Sequence, residues 1–190
     1  MVISSPTSGE FASYFAGYIG KVPETGPVTA LEAQRAEIAA LRDLSDERGT
    51  HRYAEGKWSV KEVLGHLADA ERVFGYRLLR IARADTTPLA GFDENQWAAT
   101  APHHRRPTAD VVDELLAIRE ATLALVRSLD AAALDRSGVS NGKSITARAI
   151  VWILAGHTQH HMHILHERYG VLQPWGATTQ STWEPGVLGG

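Results

Sequence analysis

Cysteine is absent from the 190-residue sequence, which excludes disulfides, thiolate nucleophiles and cysteine-ligated zinc sites. The sequence contains no run of about 18 apolar residues, the length that a membrane-spanning helix needs. Its first residues lack the basic and apolar segments of a signal peptide. Basic residues number 19 against 22 acidic ones, so a surface that follows nucleic-acid phosphates is not expected. We therefore expect a cytoplasmic protein that binds neither membrane nor nucleic acid. Any metal ion must be held by nitrogen and oxygen ligands.

Apolar residues recur with helical spacing in four segments, and no segment shows the alternation of a strand. The second helix has the clearest start, because Ser59 and Glu62 stand at the positions of a capping box. Thr108 is a plausible cap for the third helix. The pattern predicts an all-α four-helix bundle. We place its helices at residues 28–47, 59–83, 108–130 and from 144 or 146 to 169.

The connections between these helices differ in length. Residues 85–107 contain three prolines and an acidic-aromatic run, which predicts a long crossover between the second and third helices with a short helix near 93–99. Residues 137–143 are predicted to be a loop. We divide the chain into an N-terminal extension over 1–27 with a possible short helix near 9–20, a bundle over 28–175, and a tail over 176–190.

Histidines interrupt the apolar face of the fourth predicted helix, where five of the nine histidines lie between positions 157 and 166. Residues four apart stand above one another on a helix, so His157 and His161 point to the same side. His66, on the second predicted helix, lies beside that helix's apolar face. Buried imidazoles need partners, and a transition-metal ion suits three neutral imidazoles with one position left open for water. We predict a divalent metal site formed by His66, His157 and His161.

Simpler interpretations of these histidines stay open. His157 and His161 could be core residues with protein partners, and a single interior histidine such as His66 is often bonded to a carbonyl group. His160 is expected at the edge of the helix. The other histidines are predicted to be solvated or to lie in loops without ligand spacing. These are His51, His103, His104, His163 and His166.

Other metal chemistries are excluded by pattern. A zinc-protease helix needs a glutamate directly after its first histidine, whereas this chain has Thr158. A di-iron bundle needs two Glu-x-x-His pairs, but neither His66 nor His157 has a glutamate three positions before it. Candidates for a general base or an orienting group are Asp69, Glu71 and the loop residue Asp93, although charges on a helix more often face solvent. Gly156, in the middle of a helix, indicates close packing.

Several of these segments together resemble the DinB/YfiT-like superfamily of metalloenzymes. The resemblance covers about residues 28–175 and depends on the order and spacing of the segments. It implies an up-down-down-up bundle, frequent homodimers, and a zinc, nickel or similar ion held by residues that correspond to His66, His157 and His161. The matching segments are 57–67, 70–72, 88–93, 155–161 and 167–169.

On the basis of this resemblance, the first function that we predict is a metal-dependent thiol transferase. Members with an assigned role look like transferases that join a low-molecular-weight thiol, such as bacillithiol or mycothiol, to an electrophile. A cysteine-free chain is compatible with this reaction, since the cosubstrate would supply the sulfur. The alternatives are a metal-dependent hydrolase and a metal-stabilised binding protein without turnover, which a fourth protein ligand would favour. No residue of the sequence decides among these functions.

Overall fold

The computed structural model describes residues 2–171, which contain eight α-helices and one β-hairpin. Four long helices form the bundle and four short ones lie in its connections. The long helices are α2 (Pro27–Ala40), α4 (Val60–Ala82), α6 (Thr108–Arg127) and α8 (Ala147–Glu167). The short helices are α1 (Ala16–Ile19), α3 (Asp46–Thr50), α5 (Glu94–Thr100) and α7 (Ala131–Asp135). The strands are β1 (Ser137–Ser140) and β2 (Lys143–Thr146).

Two of the neighbouring helix pairs in the bundle are antiparallel. Arg127, at the end of α6, forms a 2.6 Å ion pair with Glu32 near the start of α2. At the C-terminal end of α8, the Tyr169 hydroxyl donates a 2.6 Å hydrogen bond to the carbonyl oxygen of Trp58, just before α4 begins. Helix α2 therefore runs opposite to α6, and α4 runs opposite to α8.

The remaining neighbouring pairs are parallel. Thr108, the first residue of α6, and Lys61, at the start of α4, both bind the carboxylate of Asp46. Arg48, which follows α2, donates to the carbonyl oxygen of Tyr169 after the end of α8. Together these contacts give the up-down-down-up order that the family resemblance implies. A long crossover joins α4 to α6, as the sequence predicts. Three-residue 3₁₀ turns occur at 13–15, 41–43 and 103–105.

Local capping chemistry sets the helix starts. The Ser59 hydroxyl accepts from the Glu62 backbone N–H at 3.3 Å, while the Glu62 carboxylate accepts from the Ser59 N–H at 2.6 Å, which confirms the predicted capping box. Thr108 is not a cap, contrary to prediction. It is the first helical residue after Pro107, and its N–H and hydroxyl both donate to Asp46.

The first predicted helix, 28–47, is wrong at its end. Helix α2 ends at Ala40 and a new short helix, α3, begins after Ser45. The Ser45 hydroxyl accepts from the backbone N–H of Arg48, so a serine cap starts a second helix where the apolar spacing alone continued the first.

The segment 137–143, predicted as a loop, is the hairpin of β1 and β2. Asn141 and Gly142 have φ angles of 49° and 70°, the left-handed values that a two-residue type I′ turn requires. Helix α8 then begins at Ala147 with the Thr146 hydroxyl as its cap. The hairpin is joined to the crossover, because Leu89 donates to the carbonyl oxygen of Val139 at 2.9 Å.

Other predicted features are present. The short helix expected near 93–99 is α5, and the N-terminal segment contains α1 within the expected range. No helix within residues 2–171 is long and apolar enough to cross a membrane. The domain boundaries stay a prediction, and the tail 176–190 lies outside the described residues.

The interior contains two apolar clusters with a polar layer between them. Arg119 of α6 is 0% exposed at the centre of this layer. Its guanidinium donates two 2.8 Å bonds to the Glu71 carboxylate on α4, bonds of 3.0 and 3.1 Å to Gln34 and the Leu31 carbonyl on α2, and a 2.9 Å bond to Thr158 on α8. These contacts, called here the Arg119 network, link all four long helices.

Candidate metal centre

Three histidines from two antiparallel helices meet beside the polar layer. His66 lies in the second turn of α4, and His157 and His161 lie one turn apart on α8. The Nε2 atom of His157 is 3.1 Å from Nε2 of His66 and 3.2 Å from Nε2 of His161. One ring nitrogen from each residue lies within 4.8 Å of the others. The structure thus brings together the three residues predicted as metal ligands, called here the histidine cluster.

Burial keeps these imidazoles neutral. His66 and His157 are 9% and 8% exposed. Desolvation lowers the pKa of His66 to about 4, against the opposing charge of Asp69, and lowers the pKa values of His157 and His161 well below 6.5. A metal ion binds the neutral imidazole, so near pH 7 no proton has to be displaced from these rings.

The donor chemistry of the cluster suits a divalent transition metal. Three imidazole nitrogens converge, and no carboxylate within residues 2–171 joins them. Mg²⁺ and Ca²⁺ require oxygen ligands, whereas Zn²⁺ and Ni²⁺ accept imidazole. Two neutral rings can share one proton between facing nitrogens, but three converging Nε2 atoms cannot all be satisfied in this way. The residues therefore fit a bound cation.

The cluster borders a cavity of about 280 Å³. Its wall is mainly aromatic, and its charged or amide side chains are Arg77, Glu94 and Asn141. The aromatic residues are Tyr14, Phe15, Tyr18, Trp58, Phe74 and Phe92.

The N-terminal segment supplies one side of this cavity. Helix α1 packs on α8 so closely that a Cβ atom at Gly156 would overlap the backbone carbonyl of Tyr18. This confirms the close packing predicted for Gly156. The Tyr18 ring consequently lies 5.3 Å from the rings of both His157 and His160, centroid to centroid. Burial, followed by the charge of Glu94, raises the pKa of the Tyr18 phenol.

The crossover and the hairpin supply the opposite side. Asn141 donates its backbone N–H to the carbonyl oxygen of Leu89, and its side chain packs against the backbone of Gly91. Phe92 stacks on Trp97, with 4.6 Å between the ring centroids. The crossover thus places Phe92 at the cavity, and Trp97 contacts it from behind.

The three carboxylates named as candidates lie elsewhere. Asp69 lies 3.6 Å from both Arg72 and His103 and is not part of the cavity wall. Glu71 belongs to the Arg119 network and is only 3% exposed, so it does not face solvent. Asp93 caps α5 by accepting from two backbone N–H groups at 3.0 Å.

Sequence reasoning missed several residues at the cavity. Glu94 lies there beside the predicted Asp93, and Arg77 interrupts the apolar face of α4. Asn141 could have been found from its pairing with Gly142, since Asn-Gly is the strongest short-range hairpin signal. No signal marked Tyr18, because its place depends on how α1 docks.

His103 also differs from expectation. It was predicted to lie in a loop, yet it is 5% exposed and packs against Gly65, where a Cβ atom would overlap the imidazole. Its Nε2 atom lies 3.6 Å from the Asp69 carboxylate.

The fold and the histidine cluster define a helical-bundle protein with a candidate three-histidine metal centre. Residues 30–165 match the DinB superfamily, and the chain belongs to this family. The structure is similar to that of YfiT from Bacillus subtilis, described as "a probable metal-dependent hydrolase with an unusual four-helix bundle topology". The TM-score is 0.68 at 20% identity, over 88% of this chain and 94% of YfiT, which shows a shared fold.

Relatives in bacteria carry a similar description. A protein of Oceanobacillus iheyensis named "Putative metal-dependent hydrolase" is 31% identical over 125 residues, which cover 64% of this chain and 70% of the relative. A protein of Bacillus licheniformis with the same description is 30% identical over 128 residues, covering 65% of this chain and 72% of the relative.

Proposed function

We propose that this protein is a metal-dependent hydrolase whose centre is one divalent ion held by His66, His157 and His161. The observation that carries the proposal is the convergence of three neutral imidazoles at the wall of a cavity, without a fourth protein ligand within residues 2–171. A site of this kind leaves a coordination position for water or substrate, whereas a structural zinc site is closed by four protein ligands. The names of the relatives support the same reaction class.

A bound ion at this site would supply Lewis acidity and lower the pKa of water towards 7. The histidines hold it as neutral ligands because burial disfavours their charged form. The aromatic walls exclude bulk water and strengthen electrostatic interactions within the cavity. Glu94, a carboxylate in the wall, is our candidate for the group that accepts the proton of the attacking water.

The test combines metal analysis with an activity assay. We expect purified protein to hold about one divalent ion per chain, and zinc or nickel is the ion that the ligands favour. Metal-loaded protein should cleave members of a panel of esters and amides. His66→Ala should abolish both metal binding and cleavage, while His160→Ala should preserve both. Cleavage that survives complete metal removal would contradict the proposal.

A thiol transferase is the second candidate, and Arg77 is the observation that favours it. A low-molecular-weight thiol that carries a carboxylate could bind through it to the Arg77 guanidinium in the cavity wall. In this reaction the thiol loses its proton, the sulfur forms a bond to the electrophile, and the leaving group departs with its electron pair. Activity would rise with pH through an apparent pKa below that of the free thiol. Metal-loaded protein that adds thiols to electrophiles and cleaves no ester or amide would favour this reaction.

Two further expectations concern assembly and location. We expect a homodimer, which light scattering on the purified protein would test, and a cytoplasmic location. A non-catalytic metal-stabilised protein becomes the better interpretation if metal binds but neither reaction is accelerated.

A further inference from the structure

Arg77 lies on the cavity side of α4, three turns after His66. The whole residue is 5% exposed, so most of its side chain is removed from water. Eleven residues of helix separate the two Cα atoms by roughly 16 Å. Helical side chains lean towards the N-terminus, which directs the arginine back towards the histidine cluster.

The contacts that this guanidinium makes within residues 2–171 are with neutral groups. One of its nitrogens donates to the carbonyl oxygen of Ala90 at 2.7 Å. The rings of Phe74 and Phe92 lie 5.5 and 5.8 Å from its central carbon. Within residues 2–171 no carboxylate forms an ion pair with it, in contrast to Arg119, which holds Glu71 through two bonds.

A buried cation with these neighbours is incompletely balanced. Burial lowers the pKa of Arg77, with only the Tyr14 hydroxyl acting against it, yet an arginine stays charged at any physiological pH. Burying an unpaired charge is costly. Aromatic faces and one carbonyl offset part of this cost, and the remaining guanidinium nitrogens can take a planar anion.

We propose that Arg77 is the anchor for a carboxylate group of the ligand that occupies this cavity. The ligand is an elongated small molecule with its carboxylate at Arg77, an apolar or aromatic middle against Phe74 and Phe92, and its reacting group at the histidine cluster. A carboxylate is preferred to a phosphate because Glu94 lines the same cavity, and a dianion would meet one cation and one carboxylate. That this ligand is a substrate rests on the proposed function, whereas its binding at Arg77 does not.

The experiment measures binding by calorimetry, with and without added Zn²⁺, using 3-phenylpropionate, 5-phenylpentanoate, their matching amides, and phenyl phosphate. We expect the better-fitting carboxylate to bind at least about tenfold more tightly than its amide in metal-free protein, the range for a charge-assisted bond. Arg77→Met should remove this preference, and Arg77→Lys should retain part of it. Arg72→Met is the matched control, since Arg72 lies on the same helix but pairs with Glu114 and should not affect the preference.

Several outcomes would overturn the proposal. Equal binding of carboxylate and amide to the wild-type protein, or no binding of either, would contradict it without any variant. If Arg77→Met still bound the carboxylate more tightly than the amide, the anion would bind at another residue. If phenyl phosphate bound more tightly than the carboxylates, the ligand would be a phosphate and not a carboxylate. Carboxylate preference without hydrolysis would leave the anchor standing and remove the hydrolase. Hydrolysis without the preference would do the reverse.

Discussion

Two groups of polar side chains are buried in the same bundle, and they differ in what balances them. In the Arg119 network every partner comes from the protein, and the charge of Arg119 is matched by Glu71. In the histidine cluster three imidazoles face one another at 3.1 and 3.2 Å, and no carboxylate within residues 2–171 joins their converging nitrogens. The first group is complete as a structural tie between helices, whereas the second presents converging nitrogens that a bound metal ion would satisfy.

The two groups are also connected. Thr158, which binds Arg119, directly follows His157 on α8. Gln34, a second partner of Arg119, donates to the carbonyl oxygen of Ala155 at 2.9 Å. The complete network therefore fixes the helix that carries two histidines of the incomplete cluster.

The largest effect is expected from removing a histidine of the cluster. His66→Ala, His157→Ala and His161→Ala should each weaken metal binding by more than the roughly 10–100-fold typical of losing an outer partner. His160→Ala should keep the metal. Mass spectrometry or a chelator competition measures this, with circular dichroism to check folding. If His161→Ala kept the metal and His160→Ala lost it, the ligands would lie on a different face of α8 from the one assigned.

Breaking the network should instead reduce stability. Arg119→Met leaves Glu71 buried without a partner and should cost about 3–5 kcal/mol in the free energy of unfolding. The double change Arg119→Met with Glu71→Met should recover much of this loss. Urea denaturation of metal-free protein measures both. Arg35→Met is the control, since it removes an exposed pair with Glu120 and should change stability by less than about 1 kcal/mol. An equally large loss of stability in Arg35→Met would contradict the distinction between the buried and the exposed ion pair.

The pH dependence of the metal-free protein should reveal the unbalanced cluster. Burial lowers the pKa of His66 to about 4, so the unfolded chain binds a proton below about pH 6.5 before the folded protein does. Stability is therefore complete above pH 6.5 and falls as the pH drops from 6.5 to about 4, by about 3 kcal/mol from His66 alone. His66→Gln should flatten the profile. Wild-type stability that does not change between pH 7 and 4 would contradict a neutral buried cluster.

A smaller effect is expected where α1 closes the cavity. Gly156→Ala should cost about 1–3 kcal/mol and weaken metal binding, because its methyl group must displace the Tyr18 backbone. Gly75→Ala on α4 is the matched control, with nothing within 4 Å of the added methyl group, and should be neutral or stabilising. Thermal and chelator titrations compare the two. Equal stability of both variants would show that α1 does not dock as described.

Much of the fold could be predicted because its signals are local. The capping box at Ser59, the helical spacing of apolar residues, and the breaks that separate α4 from α6 each depend on residues within a few positions. The hairpin was local too, but Asn141 and Gly142 were interpreted as loop residues because the strands beside them are short. The end of α2 was missed because the apolar spacing continues past the Ser45 cap.

The histidine cluster could be predicted only in part. The spacing of His157 and His161 by itself determined that both project from one face of one helix, and His66 could be identified as the third candidate from its place beside an apolar face. How closely the three nitrogens converge depends on the antiparallel packing of α4 against α8, which no local pattern determines.

The chain by itself therefore determined the four long helices apart from the end of α2, their sequence order and the candidate ligands, because periodicity, caps and i to i+4 spacing act within one element. Only the tertiary structure decided the partners of charged residues far apart in sequence. Glu71 and Arg119, 48 positions apart, form the buried pair. Arg77, on the same helix as Glu71, faces the cavity and forms no ion pair with a carboxylate of residues 2–171. The two side chains leave α4 in directions about 120° apart. The packing of all four helices decides what each of them meets.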